Sequence, residues 1–216
     1  MGLPLAAEMA TDLYLLFMNA VFRGISYLLY PGTMAILGLG FTHLNNPVSA
    51  WVWVLFFCGT VVLPLLSLFV FMRLGRVSDV FIYKREQRHG LYALGVFFSA
   101  LTSWIIFREN ALPAMVWCIC NMGVLTLLFF INYAGLKASA HMAGASGLLC
   151  WVICLQPTVL YLFTSLIIVI LVYVARKGLS AHSHFELILG FCLGLFVTFA
   201  LACLLLTHYG ISCSCV

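Results

Sequence analysis

The sequence predicts an all-α fold, a polytopic transmembrane bundle of about six to seven helices. Three observations predict it. Of 216 residues, 65% are hydrophobic and 7% charged, whereas a soluble domain is about 45–50% apolar and about 25% charged. The mean hydropathy is +1.16. Long apolar runs recur along the whole chain, each long enough, or nearly so, to cross a hydrocarbon core of about 30 Å as a helix. No stretch is left for a soluble domain, so 1–216 reads as one integral membrane domain. The start, Met1 to Asp12, carries Glu8 and Asp12 and has no basic n-region, so it does not read as a cleaved signal peptide.

Seven hydrophobic helices follow in order. Helix A is expected over Gly24–Thr42, interrupted by Pro31-Gly32, because proline removes a backbone donor and crowds the preceding turn. The apolar stretch Leu13–Phe22 either continues helix A or lies along the membrane surface. Helix B spans Trp51–Met72 with a kink at Pro64. Helices C (Leu91–Phe107) and D (Pro113–Tyr133) are full spans. Helix E, Met142–Leu155, is short; F is Thr158–Ala175 and G is Glu186–His208. Residues 1–72 thus hold A and B, and 84–208 hold C to G.

Alternating connections put the N-terminus and the B–C, D–E and F–G loops on one side. The A–B and C–D loops, the Gln156-Pro157 turn and the C-terminus fall on the other. Arg23, Arg73, Arg76, Lys84, Arg85, Arg88, Lys137, Arg176 and Lys177 lie on the first side, and only Arg108 on the second. The positive-inside rule makes the first side cytoplasmic. Most of the nine cysteines lie inside apolar runs, where a free thiol acts as a small hydrophobe. Cys213 and Cys215 alone, with no histidine at ligand spacing, do not make a metal site. A net charge of +4, carried by loops, gives no reason to expect nucleic acid as a partner.

Polar residues concentrate in three clusters on the first side. Lys84-Arg85-Glu86-Gln87-Arg88-His89 precedes helix C, and residues three or four apart there share a helix face. Lys137-Ala138-Ser139-Ala140-His141 precedes helix E, placing a hydroxyl and an imidazole where free backbone N–H groups suit an anion. Arg176, His182 and Glu186 lie between helices F and G. One helical turn separates His182 from Glu186, so the carboxylate can fix the imidazole tautomer and leave the other nitrogen to attack. Arg176 supplies a permanent, fork-shaped charge suited to phosphate. With more cations than metal ligands, the collection fits an oxyanion, and membrane-embedded ionisable groups are functional candidates by default.

On these residues the chain resembles the type 2 phosphatidic acid phosphatase superfamily. That family carries Lys-x6-Arg-Pro, Pro-Ser-Gly-His and Ser-Arg-x5-His-x3-Asp. Here Ala175-Arg176-x5-His182-x3-Glu186 keeps the third spacing with Ala for Ser and Glu for Asp, and Ala138-Ser139-Ala140-His141 keeps the serine and histidine of the second. Arg85-x-x-Arg88 stands in place of the first. Small bacterial members read Asp-Arg-x-x-Arg and Lys-x-Ser-Ala-His-Met-x-Gly, similar to Lys84–Arg88 and Lys137–Gly144. Gly190 and Gly194 continue the pattern with small residues that allow close helix packing.

The resemblance implies a five-helix catalytic core within 84–208 and a metal-independent, cofactor-free lipid phosphatase of a bacterial inner membrane. His182 would be the nucleophile forming a phosphohistidine, Glu186 its orienting partner, and His141 the general acid and base. Arg85, Arg88, Ser139 and Arg176 would hold phosphoryl oxygens, with Lys137 and Lys84 beside them. The expected partners are a lipid phosphate and the surrounding membrane lipids. Phosphatidate, phosphatidylglycerophosphate and isoprenyl diphosphate all fit as substrates. A transporter or scaffold is the alternative. A rhomboid-like protease, suggested by Gly144-Ala145-Ser146-Gly147, comes third.

Overall fold

The computed structural model describes residues 3–80, 82, 84–155 and 158–214, with side chains from residue 13 onward. The Gln156-Pro157 turn expected from the sequence lies outside the described residues. Helices are the regular structure throughout, and no strand occurs among the described residues. They are α1 (Leu3–Leu28), α2 (Pro31–Asn45), α3 (Ala50–Phe57), α4 (Leu63–Arg73), α5 (His89–Arg108), α6 (Leu112–Tyr133), α7 (Ala140–Leu155), α8 (Val159–Gly178) and α9 (His184–His208). A π-turn, Cys58–Val62, joins α3 to α4, so helix B is one apolar span, Ala50–Arg73. The wider turn falls just before Pro64, whose ring and missing N–H disturb a regular α-ladder there.

Five helical spans are long and apolar enough to cross a membrane, and a sixth arises if α1 and α2 form one broken span bent by 50°. The break falls at the residues before Pro31. The apolar stretch Leu13–Phe22 thus belongs to α1, a helix at an angle to α2 rather than its straight continuation. Large apolar side chains such as Phe97, Trp104, Phe130, Phe163 and Phe196 cover the outside, as expected of surface in contact with acyl chains. These features are consistent with an integral multi-pass membrane protein.

The shortest apolar helix occupies the centre. α7 packs against α2, α6, α8 and α9, and most of its residues are buried. Its run of small residues, Ala143 to Gly147, explains that position, because lipid gives helices no hydrophobic reason to associate and close backbone contact must do so. A Cβ at Gly194 would lie 2.0 Å from the Ala143 carbonyl oxygen, and one at Gly190 would lie 2.5 Å from that of Ser139. The two glycines therefore let α9 touch the backbone at the start of α7.

α2 belongs to the same core. Trp117 Nε1 donates to the Ala35 carbonyl at 2.7 Å, and Trp151 Nε1 donates to Thr42 Oγ1 at 3.0 Å. The two indoles stack with centroids 5.2 Å apart. Gly38 makes room for Trp117, since a Cβ there would fall 2.3 Å from the ring. At the other end of α1, Phe22 fills the space over Gly178, where a Cβ would meet its ring at 2.2 Å. This contact ties α1 to the last turn of α8, and so to the end of the bundle where the polar clusters gather.

Candidate active site

The site forms where the last turns of α1 and α8 meet the first turns of α5, α7 and α9. Local structure sets each side chain. Ser183 begins α9 with a reciprocal capping box: the Glu186 N–H donates to Ser183 Oγ at 3.2 Å, and the Ser183 N–H donates to Glu186 Oε2 at 3.3 Å. The cap fixes the Glu186 carboxylate beside the preceding turn. There His182 Nδ1 and Glu186 Oε2 are 2.8 Å apart. Lys137 approaches the same oxygen at 3.6 Å and donates to the Ala181 carbonyl at 3.1 Å. Glu186 therefore serves both His182 and Lys137.

Arg176 lies in the final turn of α8, where cations complement exposed carbonyls, and its side chain is buried. Arg88 closes the short 3-10 turn Arg85–Arg88 ahead of α5, and it is buried too. Arg88 Nε donates to the Ile82 carbonyl at 2.9 Å. Ile82 takes a φ of +49°, an outlier for a β-branched residue, and Asp79 Oδ1 holds its N–H at 2.9 Å. The loop thus accepts local strain in presenting the carbonyl that aims Arg88.

His141 sits in the first turn of α7, with Nε2 3.2 Å from the Ser26 carbonyl of α1. Tyr30 meets its ring edge-on, with centroids 6.0 Å apart. Burial first, then the positive charges of Arg176, Arg88 and Lys137, push His182 down to about 2. His182 is therefore neutral, and its contact with Glu186 is a hydrogen bond from Nδ1–H rather than an ion pair. That leaves Nε2 as the nitrogen with a lone pair.

His182, His141, Arg88 and Arg176 share the wall of one cleft. The cleft offers about 180 Å³ to the centres of water-sized groups, and most of its wall is apolar. Leu68, Pro64 and Thr60 line it along α4 and the π-turn, a run of about 12 Å at 1.5 Å per residue. Gly95 and Ser99 of α5, with Val124 and Leu128 of α6, form the facing wall. Charged groups stand at one end and a long apolar slot continues from them.

The other residues expected from the sequence lie outside the wall. Ser139 is fully buried, and its hydroxyl accepts from the Met142 N–H at 3.4 Å, which makes it a cap of α7. Its own N–H donates to the Glu186 carbonyl at 3.1 Å, joining the second and third clusters through the backbone. Arg85 turns away from Arg88 and donates to the Gly135 carbonyl, while its other nitrogen faces Glu86 at 3.5 Å. Lys84 is exposed and does not line the cleft. Ser26, Tyr30 and Tyr92 do line it, and no motif marked them. Ser146, the protease-like serine, is buried and donates to the Ala143 carbonyl at 3.2 Å, where it packs against Gly194.

Among the described residues, the group that could share a metal ion is Cys154, Cys203 and Cys213, whose sulfurs lie within 4.8 Å of one another. The fold brings Cys213 its neighbours by folding the C-terminal segment back, with Ser214 N donating to the Cys154 carbonyl at 2.9 Å. The group is about 20 Å along α7 from His141 at 1.5 Å per residue. No protein-family model, curated protein or solved structure matches this chain.

Proposed function

We propose that the protein is a membrane lipid phosphatase acting through a phosphohistidine. One observation carries this reading: a neutral, carboxylate-oriented His182 stands in a cleft with Arg88, Arg176 and a second histidine, and the same cleft continues as an apolar slot. Arg88, Arg176 and Lys137 place positive charge around His182, and the planar, permanently charged guanidinium suits a phosphoryl group. The apolar slot suits the hydrocarbon part of the same molecule.

On this reading the chemistry runs as a two-step transfer through His182. His182 Nε2 gives its lone pair to phosphorus, forming an N–P bond as the P–O bond to the lipid breaks. Glu186 accepts from Nδ1–H and stabilises the cation that develops on the ring. Arg88 and Arg176 take up charge on the phosphoryl oxygens as the transition state forms. His141 takes up a proton as the phosphate enters beside it and passes it to the departing lipid oxygen. It then removes a proton from water, whose oxygen attacks phosphorus and breaks the N–P bond, releasing phosphate and restoring His182.

The test is phosphate release from phosphatidate, phosphatidylglycerophosphate and isoprenyl diphosphate by purified protein in mixed micelles. Wild-type protein releases phosphate from at least one, and His182→Ala lowers the rate by about a thousandfold or more, the scale expected for loss of a nucleophile. No release from any lipid, or equal release by both proteins, would sink the reading.

A further inference from the structure

The cleft holds a hydroxyl that no described residue bonds. Ser26 is 3% exposed and lines the wall, and its Oγ has no hydrogen-bond partner among the described residues. Helical hydroxyls in this chain ordinarily bond back to a carbonyl four residues earlier, as Thr42 does to Gly38 at 2.8 Å and Ser165 to Tyr161 at 2.8 Å. Ser26 forgoes that bond. A buried unsatisfied hydroxyl is unfavourable, and such groups call for an explanation. A ligand atom in the cleft provides one.

Position identifies that atom. The Ser26 carbonyl lies 3.2 Å from His141 Nε2, so Ser26 and the imidazole that would protonate the departing oxygen are neighbours on one cleft wall. The Ser26 carbonyl fixes the His141 ring as Glu186 fixes that of His182, leaving Nδ1 of His141 to exchange the proton. Tyr30, one turn on, buttresses the ring from its edge. Phe22, one turn back, locks α1 against Gly178 of α8, two residues from Arg176. The end of α1 is thereby placed with the catalytic groups although it lies far from them in sequence.

We propose that the Ser26 hydroxyl donates a hydrogen bond to the oxygen that leaves phosphorus, so that α1 supplies a leaving-group contact to the site. The proposal rests on the phosphatase reading above. As the P–O bond breaks, its electron pair moves onto the lipid oxygen and His141 delivers the proton. Ser26 keeps its own proton and stabilises the charge that builds on that oxygen before transfer is complete. The contact matters most for an alkoxide, which carries more charge at that moment than a stabilised aryl oxide.

The experiment compares full-length wild type, Ser26→Ala and Ser26→Thr on an alkyl phosphate lipid and on p-nitrophenyl phosphate, with thermal unfolding in detergent as the folding control. Ser26→Ala loses about tenfold in kcat on the alkyl substrate, the scale of one hydrogen bond, and less than about twofold on the aryl one. Ser26→Thr, which keeps the hydroxyl, restores the alkyl rate. Should Ser26→Ala not fold, Ser26→Cys, of similar shape and a weaker donor, is read for the same split. Equal losses on both substrates would show a structural role and overturn the proposal, as would no loss on either. A wild type inactive on both substrates would overturn the phosphatase reading and this inference with it. An active wild type with an unaffected Ser26→Ala would overturn this inference alone.

Discussion

His182 shows how one residue's surroundings settle its state. Burial and three cations hold it neutral, down to about 2, against an ordinary value near 6.5 in the unfolded chain. Between those values the unfolded state binds a proton that the folded state refuses, so stability is lost as pH falls below about 6.5. Thermal unfolding between pH 7 and pH 5 checks this. Wild type is expected to lose stability more steeply than His182→Gln, by up to about 1.4 kcal/mol per pH unit. Parallel curves would mean that His182 already titrates normally in the fold. The pairing with Glu186 was legible in the sequence as a spacing of four, but its route was not: His182 precedes the N-cap Ser183, and the capping box rather than a shared helical turn brings Glu186 Oε2 to Nδ1 at 2.8 Å. The division between Arg85 and Arg88 was not, because the Gly135 carbonyl that captures Arg85 comes from a loop 50 residues away. Ser26 carried no signal either. A serine in an apolar helix is commonplace until a long-range contact places it beside His141.

At the scale of elements, the spans were legible because bilayer thickness sets their length. Their packing order was not, since lipid-facing and core-facing positions are both apolar and no amphipathic stripe tells them apart. Phe196 faces outward and Leu187 is fully buried on the same helix. The exception is α7, whose small residues announce close contact, and the structure turns that hint into a requirement at Gly194. Substituting Gly194→Ala drives a methyl into the Ala143 carbonyl, at 2.0 Å in the unrelaxed fold. Backbone cannot swing aside as a side chain would, so α9 must retreat from the turn carrying Ser139 and His141. The expected cost is about 1–3 kcal/mol, seen as a lower unfolding temperature in detergent. Gly24→Ala is the control: nothing lies within 4 Å of its added methyl, and alanine in a helix interior stabilises by about 0.5–1 kcal/mol relative to glycine. Gly194→Ala as stable as wild type would mean that α7 and α9 do not meet backbone to backbone at this turn.

For the whole molecule, the question is which face of the membrane the cleft opens on. Arg88, Arg176 and Lys137 are drawn into the site and Arg85 into the α6–α7 loop, so their placement follows packing and chemistry rather than membrane topology. Lys84, expected in the phosphate shell, is instead exposed and joins Arg23, Arg73, Arg76 and Lys177 as a topology signal. All five lie toward the site end of the bundle, and Arg108 alone stands at the other. Flanking Lys and Arg are retained on the cytoplasmic side, so the bias that survives this subtraction predicts a cleft on that side. Reporter fusions decide it. After Ser78, an exposed residue between α4 and α5, a fused green fluorescent protein is expected to fluoresce and a fused alkaline phosphatase to be inactive. After Glu109, exposed between α5 and α6, the pattern reverses. The opposite result at both sites would turn the cleft outward and overturn the charge bias as a guide to its side. On the proposed phosphatase reading, a cytoplasmic cleft would take a lipid phosphate from the inner leaflet and an outward cleft one from the outer leaflet.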